Sequence, residues 1–206
     1  MSIAGLRTTT AAAHFPVVLG EDVSIATAAH GNAATTRNCL DSLFRSACGA
    51  YELILVDDCS PDGGATRSLF CAAQRHHSNT TLFSFTENLE YSGSLRAILS
   101  HARGQWVFFI SNDIFVTPLY LRMLLDVATE NPRLGIVRGS SNFVDNGFSS
   151  HNLPAPPITT LQDLFEAGGE IAAAHGESWE PDPFLVGDAF LVTRAEIGRA
   201  SCRERV

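Results

Sequence analysis

Several absences narrow the reading of this 206-residue chain before any motif is considered. It has no long basic run and a net charge of −8 at pH 7, which argues against nucleic acid or an anionic membrane surface as a main partner. No apolar run approaches the roughly 18–20 residues that cross a bilayer. The N-terminus lacks the charged-then-apolar order of a secretory signal. The five cysteines, at 39, 48, 59, 71 and 202, form no CxxC pair and no zinc spacing. Their odd number and scatter predict reduced thiols in the cytoplasm or at the inner face of its membrane. Internal repeats and low-complexity tracts are also missing. Charged residues are only 17% of the chain against 45% apolar, so one domain with a real core is expected. A small anionic ligand remains compatible with the acidic balance, because a metal ion or helix N-termini can neutralise it locally.

What is present is an alternation. Trp106 to Ser111 is almost wholly apolar, with aromatic and β-branched types, and reads as a strand buried on both faces. Val23–Ala28, Tyr51–Val56, Thr80–Phe85 and Leu134–Val137 read as further strands. Between them lie helical patterns. The first carries Cys39, Leu40, Leu43 and Phe44 on one face, with Thr35 or Thr36 as its cap. The second runs to about His76 with Leu69, Phe70 and Ala73 inward. The third runs from Ser94 to Arg103, with Gly104 as a plausible C′ glycine. The fourth starts at Thr117-Pro118, Thr as N-cap and Pro at the first helical position. Strand–helix alternation predicts an α/β domain with a mainly parallel sheet and right-handed crossovers. Residues 1–22 read as an irregular arm, 23–197 as the domain, and 198–206 as an Arg/Glu-rich tail that is either foreign to it or a frayed helix. Residues 140–157 read as a long loop rich in Ser, Asn, Gly and Pro. A helix over Thr160–Ala174 and a last strand over Pro183–Thr193, broken at Gly187-Asp188, complete the pattern.

Three strands end in polar groups: His30-Gly31-Asn32, Asp57-Asp58 and Asn112-Asp113. In a parallel sheet those ends share one edge, where open α/β sheets bind ligands. Two acidic turns there would repel unless solvated or bound to a cation. A divalent metal bridging nucleotide phosphates answers that, since magnesium commonly takes one or two carboxylates plus phosphate. The structural alternative stays open for each: Asp57 and Asp58 as an Asx turn or helix cap, Asn112-Asp113 as a plain turn, Arg96 as a solvated helix residue. His76 and His77 are adjacent and diverge, so they predict surface rather than a metal pair. Trp179 either stacks on an acceptor sugar or packs in the fold.

Val23-Ser-Ile-Ala-Thr-Ala-Ala-His-Gly-Asn32, Leu55-Val-Asp-Asp-Cys-Ser-Pro-Asp-Gly63, Asn88-Leu-Glu-Tyr-Ser-Gly93 and Ile110-Ser-Asn-Asp-Ile-Phe-Val-Thr-Pro118 together resemble, in order and spacing, the family 2 glycosyltransferases of GT-A fold. The form around Asp113 is similar to the branch that writes L-N-N-D-T, which serves cell-surface polysaccharide synthesis. The resemblance implies an enzyme moving a sugar from a nucleoside-diphosphate sugar to a glycan or lipid-linked hydroxyl, with inversion and with Mg2+ or Mn2+. It implies that Asp58 receives the nucleobase and ribose with Asp57 beside it, that Ala28 and Ala29 touch the base through backbone atoms, that Arg96 meets the diphosphate, and that Asp113 holds the metal. Asn112 stands where many relatives have Asp, His30-Gly31 replaces the usual Thr-Tyr-Asn ending, and Glu90 replaces a frequent Gly. The family's D-E element, which carries the general base, is not found after Phe190-Leu-Val-Thr-Arg-Ala-Glu-Ile-Gly198, so C-terminal truncation is expected. Asp188 and Glu196 are weak stand-ins for the base, and Asp188 could also bind acceptor hydroxyls. A non-catalytic nucleotide-sugar-binding fragment is the alternative. A sugar-phosphate nucleotidyltransferase ranks lower, because His30–Arg37 lacks the Gly-rich, Arg/Lys-bearing density it needs.

Overall fold

The computed structural model describes residues 15–142, 157–175, 179–181 and 187–197. In chain order these form β1 (Val17–Leu19), β2 (Val23–Ala29), α1 (Ala33–Ser46), β3 (Ala47–Gly49), β4 (Glu52–Asp57), α2 (Ala65–His76), β5 (Thr80–Ser84), α3 (Glu90–His101), β6 (Trp106–Ile110), α4 (Pro118–Glu130), β7 (Ile136–Val137), α5 (Leu161–His175) and β8 (Ala189–Thr193). The main sheet has the order β5-β4-β2-β6-β8-β7. Its β5, β4, β2 and β6 strands are mutually parallel, and β8 runs antiparallel to both β6 and β7. The register Ala29↔Asp57 makes the ends of β2 and β4 level, and the pairing of β2 with β6 carries the end of β6 to the same edge.

Apolar burial on two faces explains why β4 and β6 read as unbroken apolar runs. Every residue of β4 and of β6 is buried. Alternate side chains point to opposite faces. Ile25, Leu53, Leu55, Phe108 and Ile110 pack with Leu40 and Leu43 of α1, Phe70 of α2 and Leu121 of α4. Ala26, Ile54, Val56, Val107 and Phe109 pack with Ile98 and Ala102 of α3 on the other side.

Some elements differ from the sequence expectation, each for a physical reason. The stretch expected to be irregular contains β1, which pairs in parallel with β3 in a separate two-stranded sheet. The first helix is capped by Asn32 in a left-handed conformation rather than by Thr35 or Thr36; Asn tolerates that region better than a β-branched residue. Helix α3 begins at Glu90, not at Ser94. Gly104 is not a left-handed helix cap. It is needed because a Cβ there would lie 2.6 Å from Ser24 N and 2.8 Å from Asp22 O. His76 leans on Phe44, while His77 stacks on Tyr51 and bonds to Tyr51 O, so the pair is divided between two packing roles.

One buried acid holds the amino edge of the sheet. Glu52 accepts from Ser24 Oγ (2.6 Å), Arg103 N–H (2.8 Å) and the Arg103 guanidinium (2.9 Å). Ser24 in turn accepts Gly104 N–H. Glu52→Ala would orphan the buried Ser24 hydroxyl and the partly buried Arg103 N–H and is expected to cost about 1–3 kcal/mol. Urea unfolding would read this.

Candidate active site

The carboxyl ends of β4, β2 and β6 stand side by side, and each leads into a loop that is bonded to its neighbours. The β4 end is tied to β2 and α3. Asp58 N–H donates to Ala29 O (2.9 Å), extending the ladder by one residue past Asp57. Asp58 Oδ1 accepts Leu89 N–H (2.8 Å), and the residue is only 4% exposed. Asp57 Oδ1 accepts Ser60 N–H (3.1 Å). That is an Asx-type turn, so Asp57 shapes its own loop while Asp58 ties that loop to the start of α3, and each leaves its second oxygen unbonded among the described residues. Ser60 Oγ accepts Gly31 N–H (2.8 Å) and donates to Ala29 O (3.4 Å). Ala29 is therefore buried with its carbonyl engaged, and Ala28 is the more open of the two. His30 Nδ1 bonds to Asp58 O (2.7 Å); a carbonyl only accepts, so Nδ1 carries the hydrogen and Nε2 remains on the exposed ring edge.

Asp113 occupies the turn after β6. It is exposed, and it makes no hydrogen bond to any described residue. The turn itself is rigidly mounted on α1 by a polar stripe. Asn112 Nδ2 donates to Thr36 Oγ1 (2.8 Å), Cys39 Sγ donates to Ser111 O (3.6 Å), Ser42 Oγ accepts Val116 N–H (3.1 Å) and Ser46 Oγ donates to Val116 O (3.0 Å). Sequence reasoning missed this stripe, reading only the apolar Cys39–Leu40–Leu43–Phe44 face. The signal was there: Thr36, Cys39, Ser42 and Ser46 recur at helical spacing, and all are buried. Asn112, a candidate for the nucleotide site beside Asp113, gives its amide nitrogen to Thr36 Oγ1 and leaves its carbonyl oxygen unbonded among the described residues.

The N-terminus of α1, where the Asn32 cap makes no side-chain bond to the helix N–H groups, lies at the same edge, and its dipole favours an anion there. Among the described residues, no three His, Cys, Asp or Glu side chains gather closely enough to hold a metal alone. A lone, uncommitted carboxylate fits an ion that draws its remaining oxygens from phosphate and water.

Cys39 reports on this turn. Burial first, and the charge of Asp113 second, push its thiol from 9.0 up to about 12. The unfolded chain ionises the thiol first, so the stabilisation is whole below pH 9 and is lost as the pH rises toward 12. Stability followed by urea unfolding is expected to fall across that window, and Cys39→Ala should flatten part of the fall. An identical slope in both chains would contradict the assignment.

The two stand-ins for a general base, Asp188 and Glu196, lie at opposite edges of the sheet. Asp188 does lie at the carboxyl edge, just before β8, but its carboxylate is held bidentately by Arg138: Nε to Oδ1 and Nη2 to Oδ2, both 2.9 Å. A paired carboxylate of this kind is poorly placed to take a proton. Glu196 follows β8, which runs antiparallel to β6, and packs against Gly135. It therefore sits at the opposite edge from Asp113. Arg96 lies on the second turn of α3, exposed, with no recorded partner among the described residues. Trp179 is half-exposed. A cleft of about 580 Å³ lies at the amino edge, lined by Glu52, His77, Asn79 and Arg103; the carboxyl-end residues Asp57, Asp58 and Asp113 do not line it.

Residues 24–179 match the family described as Glycosyl transferase family 2. The chain belongs to that family. Its α/β architecture is that of the GT-A glycosyltransferases. In sequence it is 30% identical over 162 residues to the succinoglycan biosynthesis protein ExoO of Rhizobium meliloti (strain 1021), which covers 75% of this chain and 44% of that protein. In structure it is similar to the mannosyltransferase PcManGT from Pyrobaculum calidifontis, solved with GDP-Man and Mn2+, at a TM-score of 0.61 and 18% identity over 87% of this chain and 46% of that one. It is also similar to S. aureus TarS 1-349, at a TM-score of 0.59 and 17% identity over 87% and 49%. The chain thus spans a little under half the length of these relatives. Among the described residues, no helix is long and apolar enough to cross a membrane.

Proposed function

We propose that this chain is the donor-binding part of a glycosyltransferase that moves a sugar from a nucleoside-diphosphate sugar to a hydroxyl of a glycan or lipid-linked acceptor, with inversion. One observation carries the reading: Asp58, with one carboxylate oxygen uncommitted, and the unbonded Asp113 follow β4 and β6, the two strands that flank β2, at one edge of the sheet. Family membership and the ligands of two structural neighbours, GDP-Man with Mn2+ in one and UDP-GlcNAc in a TarS complex, support the donor class. Likeness to ExoO supports polysaccharide synthesis. The four described cysteines, all free, support a reducing, cytoplasmic setting for the transfer.

In this reading Asp58 Oδ2 accepts from the nucleobase or ribose, since Oδ1 is already taken by Leu89 N–H. Ala28 supports the base from the end of β2. Asp113 holds Mg2+ or Mn2+, which when bound supplies positive charge to the departing diphosphate. The acceptor hydroxyl attacks the anomeric carbon opposite that diphosphate and gives up its proton to a base. Neither Asp188 nor Glu196 is placed for that step. This favours a second reading, in which the chain binds donor without turning it over.

Nucleoside diphosphate release from UDP- and GDP-sugars in Mn2+ separates the readings. Release above the enzyme-free rate supports turnover. Calorimetric binding without release supports the second reading, and the absence of both contradicts the two together.

A further inference from the structure

We propose that Arg138 is a positioning residue of the transfer site, acting through Asp188 on the turn that carries Asp113; this rests on Asp113 being the metal-holding carboxylate. The guanidinium side chain is 3% exposed and is nearly saturated. Besides its two bonds to Asp188, Nη1 donates to Gly139 O (3.0 Å) and Nη2 to Ser141 Oγ (3.3 Å). Asp188 is thereby fixed in a single orientation, reinforced by Ala189 N–H donating to Oδ1 (2.8 Å). Its backbone oxygen accepts Ser111 N–H at 2.7 Å, the last bond before the chain turns through Asn112 to Asp113.

The turn is thus held from two sides. The α1 stripe grips it through Asn112, Ser111 O and Val116. Arg138, through Asp188, grips Ser111 N–H from the β8 side. Tyr91 adds to the same corner: its hydroxyl donates to Gly187 O (2.7 Å) and its ring meets Phe109 edge-on. Arg138 and Asp188 also bracket residues 139–187, so the pair closes the base of that segment beside the donor edge. A purely structural ion pair would be expected to be replaceable by neutral side chains. A bidentate clamp that sets an angle is not, because only the planar guanidinium fork reproduces it.

The test compares four chains by calorimetry with UDP and with GDP, each with and without Mn2+, alongside the thermal midpoint: unaltered, Arg138→Lys, Arg138→Met and the double variant Arg138→Met/Asp188→Asn. The double variant removes both charges and leaves no buried ion unpaired, so it keeps the midpoint close to that of the unaltered chain. The expected result is a roughly 10- to 100-fold loss of Mn2+-dependent affinity in both Met variants, as for other residues that orient metal ligands, with partial recovery in Arg138→Lys. Recovery of affinity together with the midpoint in the double variant overturns the proposal. Asp113→Ala serves as the reference. If it leaves Mn2+-dependent binding intact, or if the unaltered chain binds neither nucleotide, the reading of Asp113 fails and the proposal falls with it. If Asp113→Ala abolishes that binding and the Met variants do not, only the role of Arg138 is lost.

Discussion

Asp113→Ala is expected to remove the Mn2+-dependent part of nucleoside diphosphate binding, a loss of at least about 100-fold in affinity, because charge stabilisation of phosphoryl oxygens by a metal is worth several kcal/mol. The prediction is unusually clean. Asp113 is exposed and bonds to no described residue, so the substitution should change folding stability by no more than about 0.5 kcal/mol. The turn it sits on is held by Thr36, Cys39, Ser42 and Ser46, none of which is touched. A calorimetric titration in Mn2+ reads the effect, and the same titration in a chelator should show the two chains alike. Asp113→Asn should behave nearly as Ala does, since the amide keeps the size and loses the charge. Affinity unchanged in Mn2+ would assign the metal elsewhere.

Asp58→Asn is expected to weaken nucleotide binding about 10- to 100-fold with little loss of stability, because hydrogen bonds to a charged group are worth about 1.5–3 kcal/mol. The asparagine oxygen can still accept Leu89 N–H, so the start of α3 stays in place. Asp58→Ala should lose the same affinity and also unfold somewhat more easily, by about 1 kcal/mol, because Leu89 N–H loses its carboxylate partner. Asp57→Ala separates the neighbours. It breaks only the Ser60 turn, so its effect on affinity should be smaller than that of Asp58→Asn. Equal losses from Asp57→Ala and Asp58→Asn would contradict the division of roles between turn and ligand.

These roles were only partly legible in the amino-acid sequence. The sheet was readable because β4 and β6 are buried on both faces and so must be apolar throughout. Thr117-Pro118 was readable because cap and first-turn chemistry are local; Thr117 Oγ1 does accept Tyr120 N–H. The start of α3 was not readable, because Glu90 takes a left-handed conformation, with φ 57°. A residue with a Cβ avoids that region unless its surroundings impose it. The local signal here therefore pointed to a loop. The roles of Asn112 and Asp188 were hidden for another reason. Both are set by partners more than 40 positions away, Thr36 and Arg138, and side-chain partners at that separation leave no periodic trace. The Asp57-Asp58 pair shows the limit most directly: two identical residues in sequence, one bonded within its own turn to Ser60 and the other bonded across to Leu89, 31 positions away.

The most direct test of the account is the thermal midpoint of this chain with UDP, GDP and the other common nucleoside diphosphates, each with and without Mn2+. Ligand at about 100 times its dissociation constant stabilises by about 2.7 kcal/mol, which for a domain of this size corresponds to roughly 5–10 °C. The account predicts such a rise for one base in preference to the others, larger with Mn2+ than without, and without the Mn2+ increment in Asp113→Ala. A midpoint that moves with none of them, or that moves equally in Asp113→Ala, would contradict a nucleotide-sugar site at the carboxyl edge of β4, β2 and β6.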